Sequence, residues 1–288
     1  MIVALIDNGS LEPAAHLNLR AVAAALSKVT GISVHAVSWK HSDRIPVERL
    51  TGGPGTNEQA TPSPAWTLVP FVRAMTALGQ REFLFVPFFI SAQGAIGSAL
   101  RRDLEKLQAE RPEQPFEFNF TPGLAASGVI PEIVAQRVLA TLKTHALPST
   151  TPVIVVDHGG PSPTSAALRN ELAAAVGELL ADKTGPVVAA SMEGEEHAHN
   201  HPVMADQLAT PGFDSGDVVI APLFLSPGRH AGPEGDLAQI AREAEDRLAL
   251  RSLRCHFTEL VGTHPLAIDT LAHALRDTLS TLHAPTFA

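Results

Sequence analysis

Cysteine is almost missing from this chain of 288 residues, where Cys255 stands alone. A single thiol excludes an intrachain disulfide and any multi-cysteine zinc or iron–sulfur site within one chain. Its place inside a strand-like run marks it as a buried structural thiol, the usual habit of a free cysteine. Charge is also sparse, at 18% of residues, and positive charge is in deficit, with a formal net charge of -9. That balance argues against a general nucleic-acid binder but leaves room for a local basic pocket. No apolar run has the length of a membrane span. Nor is there a secretory signal at the start, since residues 2–6 read at once as a short strand with no basic stretch or cleavage site. The expectation is a cytoplasmic protein with neither membrane nor nucleic acid as a partner.

What the chain does have is a packed-protein composition, with 45% hydrophobic residues, and thirteen histidines. Apolar strand-like runs alternate with helical periods along its whole length. In the first half, strands are expected at 2–6, 32–38, 82–90 and 116–120, and helices at 13–29, 66–78, 96–110 and 129–142. A polar loop, 41–64, interrupts them. Residues 148–152, rich in proline, serine and threonine, read as a linker. The order then begins again, with strands at 153–157, 187–192, 218–225 and 253–257. Helices are expected at 165–180, 235–250 and 266–282, and a short helix or turn at 201–208. The fold class is therefore α/β, two tandem flavodoxin-like βαβαβαβα units with parallel sheets. The expected domains are 1–147 and 152–288.

The halves also correspond locally. Leu5-Ile6-Asp7-Asn8-Gly9 parallels Val155-Val156-Asp157-His158-Gly159, and Val86-Pro87-Phe88-Phe89-Ile90-Ser91 parallels Ala221-Pro222-Leu223-Phe224-Leu225-Ser226. Asn8 stands where His158 stands, and Ala95 where His230 stands. The first half keeps the scaffold without the histidines.

Parallel sheets bind ligands beyond the carboxyl ends of their strands, where the strand order reverses. In the second half three strands finish near a metal-capable side chain: His158, Glu193 and His230. A 2-1-3-4 strand order places the three starting points within about 10 Å of one another. Two imidazoles and a carboxylate suit a divalent ion such as Co, Fe, Ni or Zn. The tract Glu195-Glu196-His197-Ala198-His199-Asn200-His201 offers His197, His199 and His201 as an accessory metal site, against the simpler reading of a solvated loop.

Three segments carry a family resemblance: His158-Gly159, Pro222-Leu223-Phe224-Leu225-Ser226-Pro227-Gly228-Arg229-His230, and Leu260-Val261-Gly262-Thr263-His264-Pro265. Together they resemble the class II tetrapyrrole chelatases, the sirohydrochlorin cobaltochelatase and ferrochelatase type of cobalamin and sirohaem synthesis. The resemblance implies a metal chelatase with its site in the second half. His158 and His230 would deliver the metal and remove protons, with Glu193 assisting. The ion (Co²⁺, Fe²⁺ or Ni²⁺) would be a substrate, with no permanently bound cofactor. The partner would be an anionic tetrapyrrole, met by Ser226, Gly228, Arg229 and His264, and the protein would act as a monomer or homodimer. His264, ahead of Pro265, also reads as a helix start. A non-catalytic metal- or tetrapyrrole-binding paralogue is the second reading.

Overall fold

The computed structural model describes residues 1–51, 63–90 and 95–282. Residues 52–62 of loop 41–64, together with Ser91, lie outside them. The elements in chain order are β1 (Ile2–Asp7), α1 (Pro13–Thr30), β2 (Val34–Ser38), β3 (Trp66–Thr67), α2 (Leu68–Ala77), β4 (Glu82–Pro87), α3 (Ala95–Glu110), β5 (Glu117–Phe120) and α4 (Ile130–Thr144). After the linker come β6 (Val153–Asp157), α5 (Pro163–Leu180), β7 (Val187–Ser191), α6 (Met204–Gln207), β8 (Asp217–Pro222), α7 (Asp236–Arg247), β9 (Arg254–Phe257) and α8 (Pro265–Leu282). Trp66 and Thr67, expected to open a helix, instead pair with Val37 and Ser38 as an edge strand.

All strand pairs are parallel. The first sheet has the order β3-β2-β1-β4-β5 and the second β7-β6-β8-β9. Each sheet's first strand in sequence thus lies between its second strand and the strand after the next helix, and the order reverses there. Central strands are apolar on both faces because helices cover both. Val153, Ile154, Val155 and Val156 of β6, and Val218, Val219 and Ile220 of β8, are all fully buried. Helix starts and stops follow local chemistry. Pro13 and Pro163 open α1 and α5, where a missing N–H costs nothing. Gly31, at φ 73°, closes α1 with its amide donating to the Ser27 carbonyl.

The compact units are not the two sequence halves. One comprises Met1–Gly128 with Gly262–Ala288, the other Val129–Val261. The last helix of each half is exchanged. In the second unit, α4 packs against α5 and β8, burying Ile130, Ile133, Val134 and Val138. Arg137 of α4 pairs with Glu259, and the His145 ring lies 4.6 Å from that of His256. In the first unit α8 packs against α1, burying Leu271 and Leu275, and Arg276 donates to the Val29 carbonyl. An amphipathic stripe shows that a helix covers a sheet but not which sheet, so the boundaries 1–147 and 152–288 give way to these units.

Cys255, expected to be buried, is half-buried in β9. Burial and the neighbouring Glu245 push it up to about 12, which keeps it protonated and inert. Among the described residues no helix is long and apolar enough to cross a membrane.

Candidate active site

Three exits from the second sheet are brought together. At the end of β6 the chain must pass close under the end of β7. Gly159 has φ +83°, and a Cβ there would lie 2.1 Å from the Glu193 carbonyl oxygen, so only glycine fits. The ladder between the two strands continues past their ends. Met192 N donates to the Asp157 carbonyl at 2.8 Å and Glu193 N to the His158 carbonyl at 3.2 Å. This carries Glu193 beside His158. The His158 Nδ1 lies 3.1 Å from the Gly159 carbonyl oxygen and 3.6 Å from Glu193 Oε1.

His230 arrives from β8 through a turn that folds back on the start of α7. Asp236 N donates to the Arg229 carbonyl and Leu237 N to the His230 carbonyl, at 3.0 and 3.1 Å. A Cβ on Gly235 would stand 2.8 Å from both of those carbonyl oxygens, so the closure again requires glycine. The result places Asp236 Oδ2 2.6 Å from His230 Nδ1. The His158 and His230 rings meet edge to face, with centroids 4.6 Å apart and planes at 85°.

These contacts fix both tautomers. The partner of the His158 Nδ1 is a carbonyl, which only accepts, so that nitrogen carries the proton. The partner of the His230 Nδ1 is a carboxylate, with the same consequence. Each ring, when neutral, therefore keeps its lone pair on Nε2, which has no hydrogen-bond partner among the described residues. Two imidazoles with Nδ1 engaged and Nε2 available form the usual arrangement for receiving a metal ion. Among the described residues no three His, Cys, Asp or Glu side chains are grouped to hold an ion. Glu193 lies on the Nδ1 side of His158, beside the imidazole pair.

Beneath His158 the floor is a buried polar network. Asp157 Oδ1 accepts from Ser191 Oγ at 3.0 Å and from Arg169 Nη1 at 3.4 Å. Arg169, only 2% exposed, also donates to Ser191 Oγ and to the His199 carbonyl. The histidine tract belongs to this network. His199 Nε2 lies 2.9 Å from the Gly160 carbonyl, and Asn200 donates to the carbonyls of Gly160 and Gly194. His201 Nε2 meets the Glu195 carbonyl at 2.9 Å, and His197 stacks on His199. The tract is a clasp between the exits of β6 and β7, with two of its ring nitrogens committed to backbone carbonyls.

The expected substrate contacts are dispersed. Ser226 and Gly228 are half-buried in the turn after β8. Arg229 is exposed, its Nε 3.6 Å from Asp236 Oδ2. The first amides of α7 are spent on the carbonyls of Arg229 and His230, so they are not a free anion site. His264 is buried, and its Nδ1 accepts from Leu266 N at 3.2 Å. It caps α8 and falls in the first unit.

The first unit repeats the strand crossing without the imidazoles. Gly9, at φ +84°, leaves room only for the Lys40 carbonyl, and Trp39 N and Lys40 N donate to the carbonyls of Asp7 and Asn8. Asn8 thus occupies the place of His158, and Lys40 that of Glu193. Asp7 is buried with Oδ1 unpartnered, and burial pushes it up to about 7. Nearby, His16 Nδ1 lies 3.4 Å from Ser38 Oγ, and burial, with the charge of Arg20, pushes His16 down to about 4.

A family model, CbiX, matches residues 152–278. Across the whole chain the fold is that of solved chelatase structures. SirB from Bacillus subtilis with Fe3+ superposes with a TM-score of 0.65 at 13% identity, covering 98% of this chain and 97% of that one. The sirohydrochlorin chelatase SirB from Bacillus subtilis subspecies spizizenii in complex with cobalt gives 0.63 at 11% identity, with coverage of 98% and 97%. CbiX, described as the terminal enzyme for biosynthesis of siroheme in denitrifying bacteria, gives 0.57 at 15%, with coverage of 96% and 97%. No curated protein sequence matches the chain significantly.

Two residues of this half are not apparent from the strand-end pattern of the sequence. Asp236 follows His230 by six positions through a glycine turn, a spacing that belongs to no regular element. Arg169 sits on the buried face of α5, where an arginine signals a buried acid. That signal was present in the helical period.

Proposed function

We propose that the chain inserts a divalent metal ion, Co²⁺ or Fe²⁺, into sirohydrochlorin or a closely related tetrapyrrole, using the second unit. The observation that carries this reading is the pair His158 and His230, edge to face at 4.6 Å with both Nε2 atoms unpartnered among the described residues. The CbiX family match over the same half and the chelatase fold of the whole chain support it.

In the reaction M²⁺ replaces two pyrrole N–H protons, and no electron is transferred. The two Nε2 lone pairs suit both halves of that exchange. One receives the ion and passes it to the macrocycle, and either accepts a proton as the N–H bond breaks. Glu193, exposed and 3.6 Å from His158 Nδ1, stabilises the imidazolium that forms and relays the proton to water. Asp236 holds the His230 ring in place and stabilises its imidazolium. Arg229 faces solvent beside the pair and meets an acidic arm of the substrate.

The test follows insertion of Co²⁺ and Fe²⁺ into sirohydrochlorin by absorbance, for the native chain, His158→Ala and His230→Ala. A positioned base contributes roughly 10²–10⁴-fold, so each variant is expected to lose at least about 100-fold in rate. Insertion no faster than the uncatalysed reaction, by native protein with either metal or with Ni²⁺, would reject the proposal and favour a binding protein.

A further inference from the structure

The first unit, which lacks the imidazoles, has a cavity of about 500 Å³ beyond the carboxyl ends of β4 and β5. It is lined by Pro87, Phe89 and Phe120, and by Ser98, Arg101, Arg102 and Glu105 of α3. The two guanidinium groups are the unusual feature. In a chain of net charge -9, most arginines are tied to a carboxylate or a carbonyl. Arg101 and Arg102 have neither an ion pair nor a hydrogen bond among the described residues. Arg101 is nonetheless held in place, with Cζ 5.3 Å from the ring centroid of Phe120 and 5.7 Å from that of Phe118. Stacking orients a guanidinium while leaving its N–H edge free to donate.

The position matters as much as the composition. Parallel sheets take ligands at the carboxyl ends of their strands. Here that end presents aromatic rings beside two arginines and one glutamate, a lining with one net positive charge. Such a site recognises carboxylates attached to a flat hydrocarbon body, with the fork of Arg101 suited to two-point contact with one carboxylate. Ligand pockets usually span about 300–1,000 Å³. This cavity is at the lower part of that range and suits one ring of a macrocycle with its acidic arms, not the whole.

We propose that the cavity is a carboxylate-binding site of the first unit that takes the acid-bearing edge of a tetrapyrrole. The inference rests on the proposed function for the identity of the ligand, and on geometry alone for its chemistry. It gives the half without histidines a role in holding substrate, and it locates binding where no metal-handling residue lies.

The experiment is an equilibrium titration of the full chain with metal-free uroporphyrin, an octacarboxylate tetrapyrrole, followed by its fluorescence. The variant Arg101→Gln/Arg102→Gln is compared with Arg73→Gln/Arg111→Gln, which removes the same charge from the same unit away from the cavity. Loss of two charge-assisted contacts is expected to raise Kd by about tenfold or more, with the control within about twofold of native. Arg101→Lys, which keeps the charge but not the fork, is expected to fall between them. Circular dichroism of the variants verifies the fold. Binding by the double variant within about twofold of native, or no binding by native protein, overturns the site. Arginine-dependent binding without metal insertion would remove the chelatase reading and leave this site standing. Normal insertion with arginine-independent binding would do the reverse.

Discussion

His158 and His230 present Nε2 only because something else holds Nδ1. For His158 that is its neighbour's carbonyl, a contact no side-chain substitution removes. For His230 it is Asp236, at 2.6 Å, so the second imidazole has a separable support. Asp236 is a positioning residue: it fixes the ring's tautomer and orientation without itself reaching the ion. Loss of such partners typically costs 10–100-fold in metal affinity or activity. Asp236→Asn is therefore expected to slow insertion by about 10–100-fold, with Asp236→Glu recovering part of it. A purely structural role would not move the proton NMR signal of the His230 Nδ1–H. In Asp236→Asn that signal is expected to lose its strongly hydrogen-bonded, downfield position while the His158 signal stays. An unchanged signal would show that Asp236 does not set the tautomer. The two histidines were legible in the sequence because each follows an apolar strand run. Asp236 was not, because a turn closed by Gly235 leaves no periodic trace.

At the scale of elements, the same βαβ crossing is solved twice with different buried chemistry. In the second unit α5 lays Arg169 under β6 and β7, where it compensates Asp157 and ties Ser191 to the turn at His199. In the first unit α1 supplies His16 near Ser38 instead, and Asp7 Oδ1 has no partner among the described residues. The sequence shows that both strands end in an aspartate but not that Asp157 meets an arginine. The pairing is set by which helix residue falls under the strand. The energetic consequence depends on pH. The folded pKa of Asp7, about 7, lies above the ordinary 3.8, so folding favours its protonated form. That contribution is whole below pH 3.8 and is lost as pH rises towards 7. His16 works the other way: with a folded pKa of about 4 against 6.5, its contribution is whole above pH 6.5 and is lost as pH falls towards 4. Asp7→Asn removes the first effect and leaves the second. The stability of the variant relative to native is expected to rise between pH 5 and pH 7.5, reaching a gain on the order of 2–4 kcal/mol. Urea unfolding at a series of pH values measures it. A difference that stays flat across that window would show Asp7 to be ionised in the folded state.

At the scale of the whole molecule, the repeat visible in the sequence and the units that pack are offset by one helix. Strand order and the alternation of β and α could be read in advance, because apolar runs and helical periods are local signals and parallel sheets leave few choices of order. The helix exchange could not, because α4 and α8 carry the same kind of apolar stripe and the period says nothing about its destination. The exchange has a direct consequence for how the chain can be divided. A fragment cut at the sequence repeat, residues 152–288, keeps α8, whose buried partner α1 lies in the other unit. It loses α4, leaving the faces of α5 and β8 that Ile130, Ile133, Val134 and Val138 cover. Those four side chains represent several kcal/mol of burial, at about 1.5–3 kcal/mol for each large aliphatic, which is comparable with the whole stability of a domain. A fragment comprising residues 129–261 retains that cover together with His158, Glu193, His230 and Asp236. It is expected to unfold in urea as one cooperative transition, whereas 152–288 is expected to be expanded, to bind a hydrophobic dye and to melt without a sharp midpoint. If 152–288 folded cooperatively and 129–261 did not, α4 would belong with the first sheet, and the compact unit around the imidazole pair would be the sequence half.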